Sequence, residues 1–254
     1  MQIKHARVIK NHLGLYLEDI DAIVIADLHI GYELALTKKG IFLPTSQYPK
    51  IKREIEEMLE ITGAKRVIIN GDLKHEFGEP TAQEWIEVKE LLHYLLNKGI
   101  KVEVVRGNHD NYIIWMLKKL GIPLHQEALT EGEYVVTHGH KDLEVKRGKI
   151  VVLAHEHPTI SLRDRLGVKK KFKCFLHGEH QESQVIVLPA MSPIASGTEI
   201  NEVPKEELLS PILKKVNIDE FIPIVVEPGA DTVEFPKLKW LREAMGLEGE
   251  ERYA

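Results

Sequence analysis

The chain reads Val-Glu-Val-Val-Arg-Gly-Asn-His-Asp at residues 102–110. Its first four residues predict a β-strand, and the amide of Asn108, the imidazole of His109 and the carboxylate of Asp110 follow closely. Gly107 allows a sharp turn there without the steric cost of a Cβ atom. A neutral oxygen ligand beside a proton carrier is what a metal-assisted hydrolase needs at a strand end.

The same pattern, an apolar run followed by ligand-type side chains, occurs at four other places. Residues 22–26, 66–70, 134–136 and 150–153 each predict a strand. In an open sheet, sites form where the loops leave the carboxyl ends of strands. We therefore expect these side chains to converge on one rim: Asp27 and His29, Asp72 and His75, Asn108, His109 and Asp110, His138 and His140, and His155 and His157.

The residue types in these loops predict a site for two divalent metal ions. Imidazole and carboxylate ligands suit transition metals better than a calcium cage. A single catalytic zinc needs about three protein ligands, and the loops hold more ligands than one ion can use. Two adjacent dications repel each other, so a carboxylate must be shared between them. We expect manganese, with nickel, cobalt, iron and zinc as alternatives.

Apolar residues at helical spacing predict the helices around these strands. One helix starts near Pro44–Ser46 and buries the stripe Ile51–Ile61; a second follows Pro80 and buries the stripe Trp85–Leu95. A third is expected over Tyr112–Leu120. Alternation of strands and helices favours an α/β protein.

We divide the chain into residues 1–200, a catalytic domain, and residues 201–254, a C-terminal extension packed on the same domain. The extension is predicted to contain a hairpin, Ile222–Val226 with Thr232–Phe235, and a short helix over Lys239–Met245. The 254 residues suffice for one large domain with such an appendage.

Composition limits the setting and the partners of the protein. The net charge of -5 provides no overall basic field for nucleic acid. One cysteine, Cys174, cannot form an internal disulfide, which fits a reducing compartment. Neither a signal-peptide core nor a membrane-length apolar run is visible. From these features we expect a cytoplasmic protein without a membrane partner.

The order Asp-x-His, Gly-Asp, Gly-Asn-His-Asp, His, x-His-x-His resembles the calcineurin-like metallophosphoesterase family. The motifs span residues 22–158, and a looser likeness extends to about residue 200. Two stretches are similar in sequence to an archaeal branch of the family that is related to the SbcD nuclease subunit. They are Gly-Asp-Leu-Lys-His-Glu-Phe at residues 71–77 and Leu-Pro-Ala-Met-Ser-Pro at residues 188–193. The resemblance implies a four-layer αββα sandwich of two mixed sheets flanked by helices.

The resemblance also implies a role for each site residue. It implies these metal ligands: Asp27, His29 and His157 for one ion, Asn108, His138 and His155 for the other, and Asp72 shared by both. His109 is expected to lie beside the phosphate and to protonate the leaving oxygen or steady the transition state. Asp110 is expected to orient that imidazole.

Two positions depart from the family pattern. The family usually has Asp or Asn three residues after the shared Asp, where this chain has His75. We assign His75 and His140 to substrate binding, with support of the metal ligands as the alternative for both and metal contact as a further one for His75. The last motif usually begins with Gly, where this chain has Ala154, which requires a backbone without positive φ at that position.

A basic run over Arg163–Lys173 allows two interpretations. Such runs usually form a solvated surface, here a hairpin. The alternative is a strip that binds the phosphate backbone beside the site, with Phe172 and Phe175 stacking on an unpaired base.

The predicted reaction is in-line hydrolysis of a phosphate ester, in particular a phosphodiester. Our first hypothesis is a phosphodiesterase or nuclease that acts on single-stranded nucleic acid or its ends. The alternatives are a phosphoesterase for cyclic nucleotides or other small molecules, and a metal-stabilised scaffold without turnover. The C-terminal extension could also support an oligomer.

Overall fold

The computed structural model describes residues 2–144 and 147–245, which form two mixed β-sheets and five α-helices. Seven strands lie side by side in sequence order in the first sheet: β1 (Gln2–Ile3), β2 (Ala6–Val8), β3 (Leu15–Leu17), β4 (Ala22–Ile25), β5 (Arg66–Asn70), β6 (Lys101–Val105) and β7 (Leu124–His125). Strands β1 to β4 pair antiparallel, and β4 to β7 pair parallel.

The second sheet is built from the remaining strands: β8 (Ala128–Glu131), β9 (Tyr134–Thr137), β10 (Ile150–Leu153), β11 (Pro158–Arg163), β12 (Lys169–His180), β13 (Ser183–Val187), β14 (Thr198–Glu199), β15 (Ile222–Glu227) and β16 (Asp231–Glu234). Its main order is β14-β11-β12-β13-β10-β9-β8. Strand β10 runs parallel to both of its neighbours, β9 and β13. The hairpin β15–β16 pairs with β12.

The helices are α1 (Tyr32–Lys38), α2 (Gln47–Thr62), α3 (Ala82–Asn97), α4 (Ile114–Lys119) and α5 (Leu238–Ala244), with short 3-10 helices at Glu18–Ile20, Lys205–Glu207 and Ile218–Glu220. The predicted helices α2 and α3 are confirmed, and a capping box fixes the start of α3. Thr81 Oγ1 accepts from the Glu84 amide at 3.2 Å, and the Glu84 carboxylate accepts from the Thr81 amide at 2.6 Å. Helix α1 was not predicted.

The main apolar core lies between the two sheets. Ile23 and Ile68 of the first sheet belong to one buried cluster with Val152 and Ile186 of the second, together with the inner faces of α2 and α3. The predicted sandwich of two mixed sheets is therefore confirmed. The predicted buried stripes are wrong at two positions: Trp85 is 42% exposed and Ile61 is 55% exposed. These residues lie in the first turn of α3 and the last turn of α2.

A second cluster covers the outer face of the second sheet. Val151 and Val185 pack there against Leu213, Phe221 and residues of α5. Turns and 3-10 helices, together with the short helix α5, form this layer. The predicted C-terminal hairpin and short helix are present as β15, β16 and α5; the last part of the predicted extension, residues 246–254, lies outside the described residues.

The contact between Gly178 and Phe221 tests this packing. A Cβ atom on Gly178 would lie 2.3 Å from the Phe221 ring, so we expect Gly178→Ala to lower the free energy of unfolding by about 1–3 kcal/mol. Urea unfolding measures this change. Gly78→Ala is the control, because nothing lies within 4 Å of that position. Equal stability of the two variants would contradict the described packing.

Candidate metal centre

The ligand-bearing ends of both sheets meet at one rim. Strands β4, β5 and β6 are parallel, so Asp27, Asp72 and Asn108 follow the same edge of the first sheet. Strands β9 and β10 are also parallel and lead into His138 and His155. The convergence expected from the sequence is therefore present between these loops.

Asn70, the last residue of β5, joins the two sheets at this rim. Its Nδ2 donates to the carbonyl of Thr137 at 3.0 Å and lies 3.4 Å from the carbonyl of Val152. Its own carbonyl lies 3.0 Å from Nδ1 of His138. Sequence reasoning missed this residue, although a buried asparagine at the end of an apolar strand is a signal that it could have used.

Five of the predicted ligands have a left-handed backbone, which is unusual outside glycine: Asp27 (φ 53°), His29 (φ 44°), Asp72 (φ 48°), His155 (φ 68°) and His157 (φ 49°). Such conformations cost free energy and persist where the surroundings hold them. Here the His29 amide donates to the Asp72 carbonyl at 2.9 Å, and the His155 amide donates to the Asp27 carboxylate at 3.1 Å. Ala154 has no positive φ, as its side chain requires.

Asp27, His29 and His157 form the first group of ligand atoms. The Nε2 atoms of the two imidazoles lie 3.4 Å apart, and His157 Nε2 lies 3.3 Å from Asp27 Oδ2. Oδ1 of Asp27 is buried without a hydrogen-bond partner among the described residues. This donor set fits a divalent cation, which would satisfy that carboxylate.

Asp72, His138 and His155 form the second group, in which one ligand atom from each residue lies within 4.8 Å of the others. Asn108 Oδ1 lies 3.2 Å from His138 Nε2, so the amide belongs to the same cluster. The structure thus brings all seven predicted metal ligands together, in two groups.

The Asp72 carboxylate lies between the two groups. Its Oδ2 is 3.4 Å from His138 Nε2, 3.8 Å from His29 Nε2 and 3.7 Å from His109 Nε2. Its Oδ1 accepts a hydrogen bond from the His109 amide at 2.9 Å. One oxygen therefore faces histidines of both groups, which is the position that a shared ligand requires.

Burial prepares two of the imidazoles for metal binding. It favours the neutral ring, and with neighbouring histidines it lowers the pKa of His29 to about 3 and the pKa of His155 to about 4. Both rings are therefore neutral at pH 7, with a lone pair available to a cation.

The carboxylates carry the negative charge of the centre. Burial by itself would raise the pKa of both carboxyl groups. For Asp27 the nearby His157 and His138 have the larger effect, and for Asp72 His138 does, so both pKa values are lowered. Burial likewise opposes a charge on His138, yet Asp72 and Asp27 raise its pKa to about 9. Positive charge is thus favoured between the two carboxylates, where a cation would lie.

His109 and Asp110 are held differently from the expectation. The Nδ1 atom of His109 contacts the carbonyl of His75, not the carboxylate of Asp110. Both oxygens of Asp110 accept from backbone amides, Oδ1 from Leu73 and Oδ2 from Gly107, each at 2.9 Å. Asp110 therefore joins the β5 and β6 loops, and the expected contact with the His109 ring is replaced by a carbonyl.

Gly107 is required for a reason that the sequence did not reveal. Its φ is not positive, but a Cβ atom there would lie 2.1 Å from Asp72 Oδ1. The close approach of the β6 loop to the Asp72 carboxylate is what excludes a side chain.

His75 and His140 lie at the edges of the centre. The His75 ring stacks on Tyr32 with the centroids 3.8 Å apart and lies 5.3 Å from the His29 ring. The His140 ring lies 5.2 Å from the His138 ring. Both are therefore close to the ligand groups, and His75 also forms a group of possible ligand atoms with His29 and His109. These positions are compatible with substrate binding and with support of the ligands for both residues, and with metal contact for His75.

Buried polar residues outside the motifs hold the loops in place. Gln47 Nε2 donates to the carbonyls of Leu28 and His29 at 2.8 and 2.9 Å. Glu156 accepts from the amides of residues 209 and 210, both at 2.9 Å. Glu84 accepts from the amides of residues 75 and 76 at 3.0 and 2.7 Å. Sequence reasoning missed them because polar residues in helices and loops are usually exposed.

The basic run is largely neutralised. Its lysines pair with glutamates as follows: Lys169 with Glu199 and Glu202, Lys170 with Glu227, and Lys171 with Glu199. Lys173 is turned inward and donates to the Ala190 carbonyl at 2.7 Å, and burial lowers its pKa to about 8. Phe175 is fully buried and cannot stack on a base. The structure therefore favours the solvated hairpin over the phosphate-binding strip.

A sequence profile of the calcineurin-like phosphoesterases matches residues 21–220. The chain belongs to this family. Calcineurin-like phosphoesterases use divalent metals, in agreement with the two ligand groups. The match extends beyond residue 200, where we had placed the end of the catalytic domain.

Solved structures and curated proteins give two further comparisons. Nuclease MPE of Pseudomonas putida aligns with a TM-score of 0.62 and 19% sequence identity, over 87% of this chain and 91% of that chain. Yfce, a phosphoesterase from E. coli, aligns with a TM-score of 0.43 and 20% identity, over 70% and 83%. At these identities the first likeness concerns the fold alone.

No curated protein matches the chain. Within the described residues of this calcineurin-like phosphoesterase, no helix is long and apolar enough to cross a membrane.

Replacing the central carboxylate tests the geometry of the two ligand groups. We expect Asp72→Asn to weaken manganese binding about tenfold or more at both groups, because the oxygen between them loses its charge. Isothermal titration of chelator-treated protein measures the affinity. Asp142→Asn is the control, because that carboxylate is exposed and pairs with Lys215. Wild-type affinity in Asp72→Asn would contradict the shared position.

Proposed function

We propose that this calcineurin-like phosphoesterase is a phosphodiesterase that uses two divalent cations and acts on nucleotide-containing substrates, including single-stranded nucleic acid or its ends. The observation that carries the proposal is the Asp72 carboxylate, whose Oδ2 lies within 3.8 Å of histidine nitrogens from both ligand groups. A single cation would not need a carboxylate in that position. Manganese is the ion that we propose first, in a cytoplasmic protein.

In this proposal the chain's residues divide into two ligand sets around Asp72. Asp27, His29 and His157 hold one cation, and Asn108, His138 and His155 hold the other. When bound, such cations supply water of lowered pKa and positive charge for the phosphate oxygens. The buried protein groups orient the substrate and exclude bulk water from this rim.

His109 is the proposed proton donor. Its Nδ1 contacts the His75 carbonyl, which can only accept a hydrogen bond, so Nδ1 carries a proton. Nε2 then faces the centre, 3.7 Å from Asp72 Oδ2. In the charged ring Nε2 can donate to the leaving oxygen, and the carbonyl of His75 keeps the ring in this orientation.

Aromatic residues beside His109 support a nucleotide substrate. Phe77 stacks on the His109 ring with a centroid distance of 3.6 Å, and 57% of its surface remains exposed. Tyr112 and Trp115, just after the Asn108–Asp110 loop, are 48% and 76% exposed. Of these rings, Phe77 contacts the reacting group and offers a surface on which a base of the substrate can stack.

The paired lysines favour the second candidate, a phosphodiesterase for small molecules such as cyclic nucleotides. Lys169 and Lys171 pair with Glu199, and Lys169 also pairs with Glu202, so these two lysines offer little free positive charge to a long phosphate backbone. A manganese-loaded panel of monoesters, diesters, cyclic nucleotides and single-stranded DNA separates the two candidates. Cleavage of the DNA that weakens with salt supports the polymer; cleavage of the small diesters alone supports the second candidate.

The resemblance to the archaeal branch related to the SbcD nuclease subunit also favours nucleic acid as the substrate. We include membership of that branch in the proposal. We further propose that the C-terminal extension belongs to the same domain, since β15 pairs with β12. An oligomer through this extension is a prediction that the oligomeric state in solution would test.

We expect His109→Ala to lower kcat for an aryl phosphodiester by about 100- to 10,000-fold, because the leaving oxygen loses its proton donor. Manganese binding should stay close to that of the wild type. Steady-state kinetics measure the effect, with His93→Ala, an exposed histidine of α3, as the control. Unchanged kcat in His109→Ala would overturn the catalytic assignment of His109, and a wild-type protein without measurable turnover on any substrate of the panel would support the non-catalytic scaffold.

We expect Phe77→Ala to raise KM for nucleotide diesters about 5- to 150-fold, since stacking on one base is worth about 1–3 kcal/mol. The KM for a methyl-substituted diester without a ring should change little. Trp240→Ala, an exposed aromatic on α5, is the matched control. A similar change in KM for both substrates would show that Phe77 does not contact the base.

A further inference from the structure

A second cluster of metal-ligand atoms lies apart from the residues of the catalytic centre. His12 lies in the turn between β2 and β3, and Glu54 and Glu57 lie three residues apart on one face of α2. His12 Nδ1 is 3.2 Å from Glu54 Oε1 and 4.0 Å from Glu57 Oε2. One ligand atom from each residue lies within 4.8 Å of the others.

The His12 ring lacks a hydrogen-bond partner that its burial requires. Its side chain is 9% exposed, and Nδ1 makes no hydrogen bond with any residue that the structure describes. The nearby Glu54 oxygen is close enough but not suitably directed. An unsatisfied buried polar group costs about 1–3 kcal/mol, and a cation bound by Nδ1 and the two carboxylates would remove that cost.

The fold holds these groups in position. The turn closes through hydrogen bonds from the Ile9 amide to the Gly14 carbonyl at 3.0 Å and from the His12 amide to the Ile9 carbonyl at 3.1 Å. It packs directly on α2, because a Cβ atom on Gly14 would lie 2.3 Å from Met58 Sδ. His12 is therefore fixed against the helix.

Glu54 is oriented by the same turn. Its Oε1 accepts from the Leu13 amide at 3.0 Å, which fixes the carboxylate as hydrogen-bonded ligands are fixed in metal sites. Glu57 is 48% exposed and free to adjust. Two of the three ligands are thus preset, and the third can close on an ion.

The distances and charges suit a transition-metal dication. Tetrahedral coordination with bonds of about 2.0–2.1 Å places neighbouring ligand atoms about 3.4 Å apart. The 3.2 Å separation of His12 from Glu54 is near this value, and Glu57 has to move less than 1 Å toward His12. One neutral imidazole and two carboxylates balance two positive charges, whereas calcium prefers more oxygen ligands.

We propose that His12, Glu54 and Glu57 form a separate structural site for a divalent transition-metal ion such as Zn²⁺. The site opens on a cavity of about 540 Å³ lined by Leu13, Glu54 and Glu57, which leaves room for a water ligand and for ion exchange. Lys50 and Arg53 line the same cavity and offset part of the carboxylate charge. The affinity is therefore weaker than at the buried catalytic groups.

A cation there would brace parts of the chain that contact the catalytic loops. It would join the N-terminal turn to α2, whose first residue Gln47 holds the carbonyl of His29. The neighbouring Asn11 amide donates to Thr232 Oγ1 at 2.7 Å, so the same turn also holds the C-terminal hairpin.

Metal counting tests the site independently of activity. Chelator-treated protein is equilibrated with Zn²⁺, and the bound metal per chain is measured by mass spectrometry and by titration calorimetry. We expect His12→Ala and Glu57→Gln each to bind one ion fewer than the wild type, with at least about a tenfold loss of affinity at the weakest site. Glu60→Gln, an exposed glutamate on α2, is the matched control and should bind as the wild type does.

An Asp72→Asn background separates this site from the catalytic one. The Zn²⁺ site of His12, Glu54 and Glu57 should persist in Asp72→Asn with its wild-type affinity, and the added Glu57→Gln should remove it. The Glu57 side chain is about half exposed, so Glu57→Gln should leave the fold intact even if His12→Ala does not. Equal Zn²⁺ binding by wild type, Glu57→Gln and Glu60→Gln would overturn the proposal, as would loss of every site in Asp72→Asn alone.

Discussion

The position of the Asp72 carboxylate is the constraint on which the rest of the centre depends. Its Oδ1 accepts from the His109 amide, its Oδ2 faces His138 and His29, and its backbone carbonyl accepts from the His29 amide. Position 107 has to be a glycine because the loop after β6 approaches the Asp72 side chain too closely to leave room for a Cβ atom. One residue thus sets the relative positions of three loops, and a left-handed backbone at Asp72 is tolerated for that reason.

Residues around the rim offset part of the unfavourable free energy of burying several charged groups together. Asp27 and Asp72 are buried carboxylates, and burying such groups without a counter-charge is strongly unfavourable. The negative charges of Asp72 and Asp27 stabilise the protonated form of His138 and so raise its pKa. Asn70, Gln47 and other buried polar groups outside the motifs keep the loops from relaxing. Asn70 and Gln47 hold the centre through their donor atoms, and Oδ1 of Asp27 stays without a partner among the described residues. The centre therefore gains stability when cations bind.

The sequence predicted that these side chains converge because its pattern follows from simple geometry. Apolar runs that end in Asp, Asn or His become parallel strands whose carboxyl ends share an edge, so linear motifs such as those at Asp27 and Asp72 converge. Contacts made by distant partners could not be predicted in this way. The lysines of β12 are neutralised by glutamates from other segments, and Asp110 is engaged by backbone amides instead of the His109 ring. His12 became a candidate ligand only when the turn was placed on α2.

The central claim is that two cations share the Asp72 carboxylate, and anomalous diffraction from crystals grown with manganese tests it most directly. The account predicts two neighbouring anomalous peaks at the rim, with Asp72 bound to both, His29 to one and His155 to the other. A single peak, or two peaks of which only one touches Asp72, would contradict it.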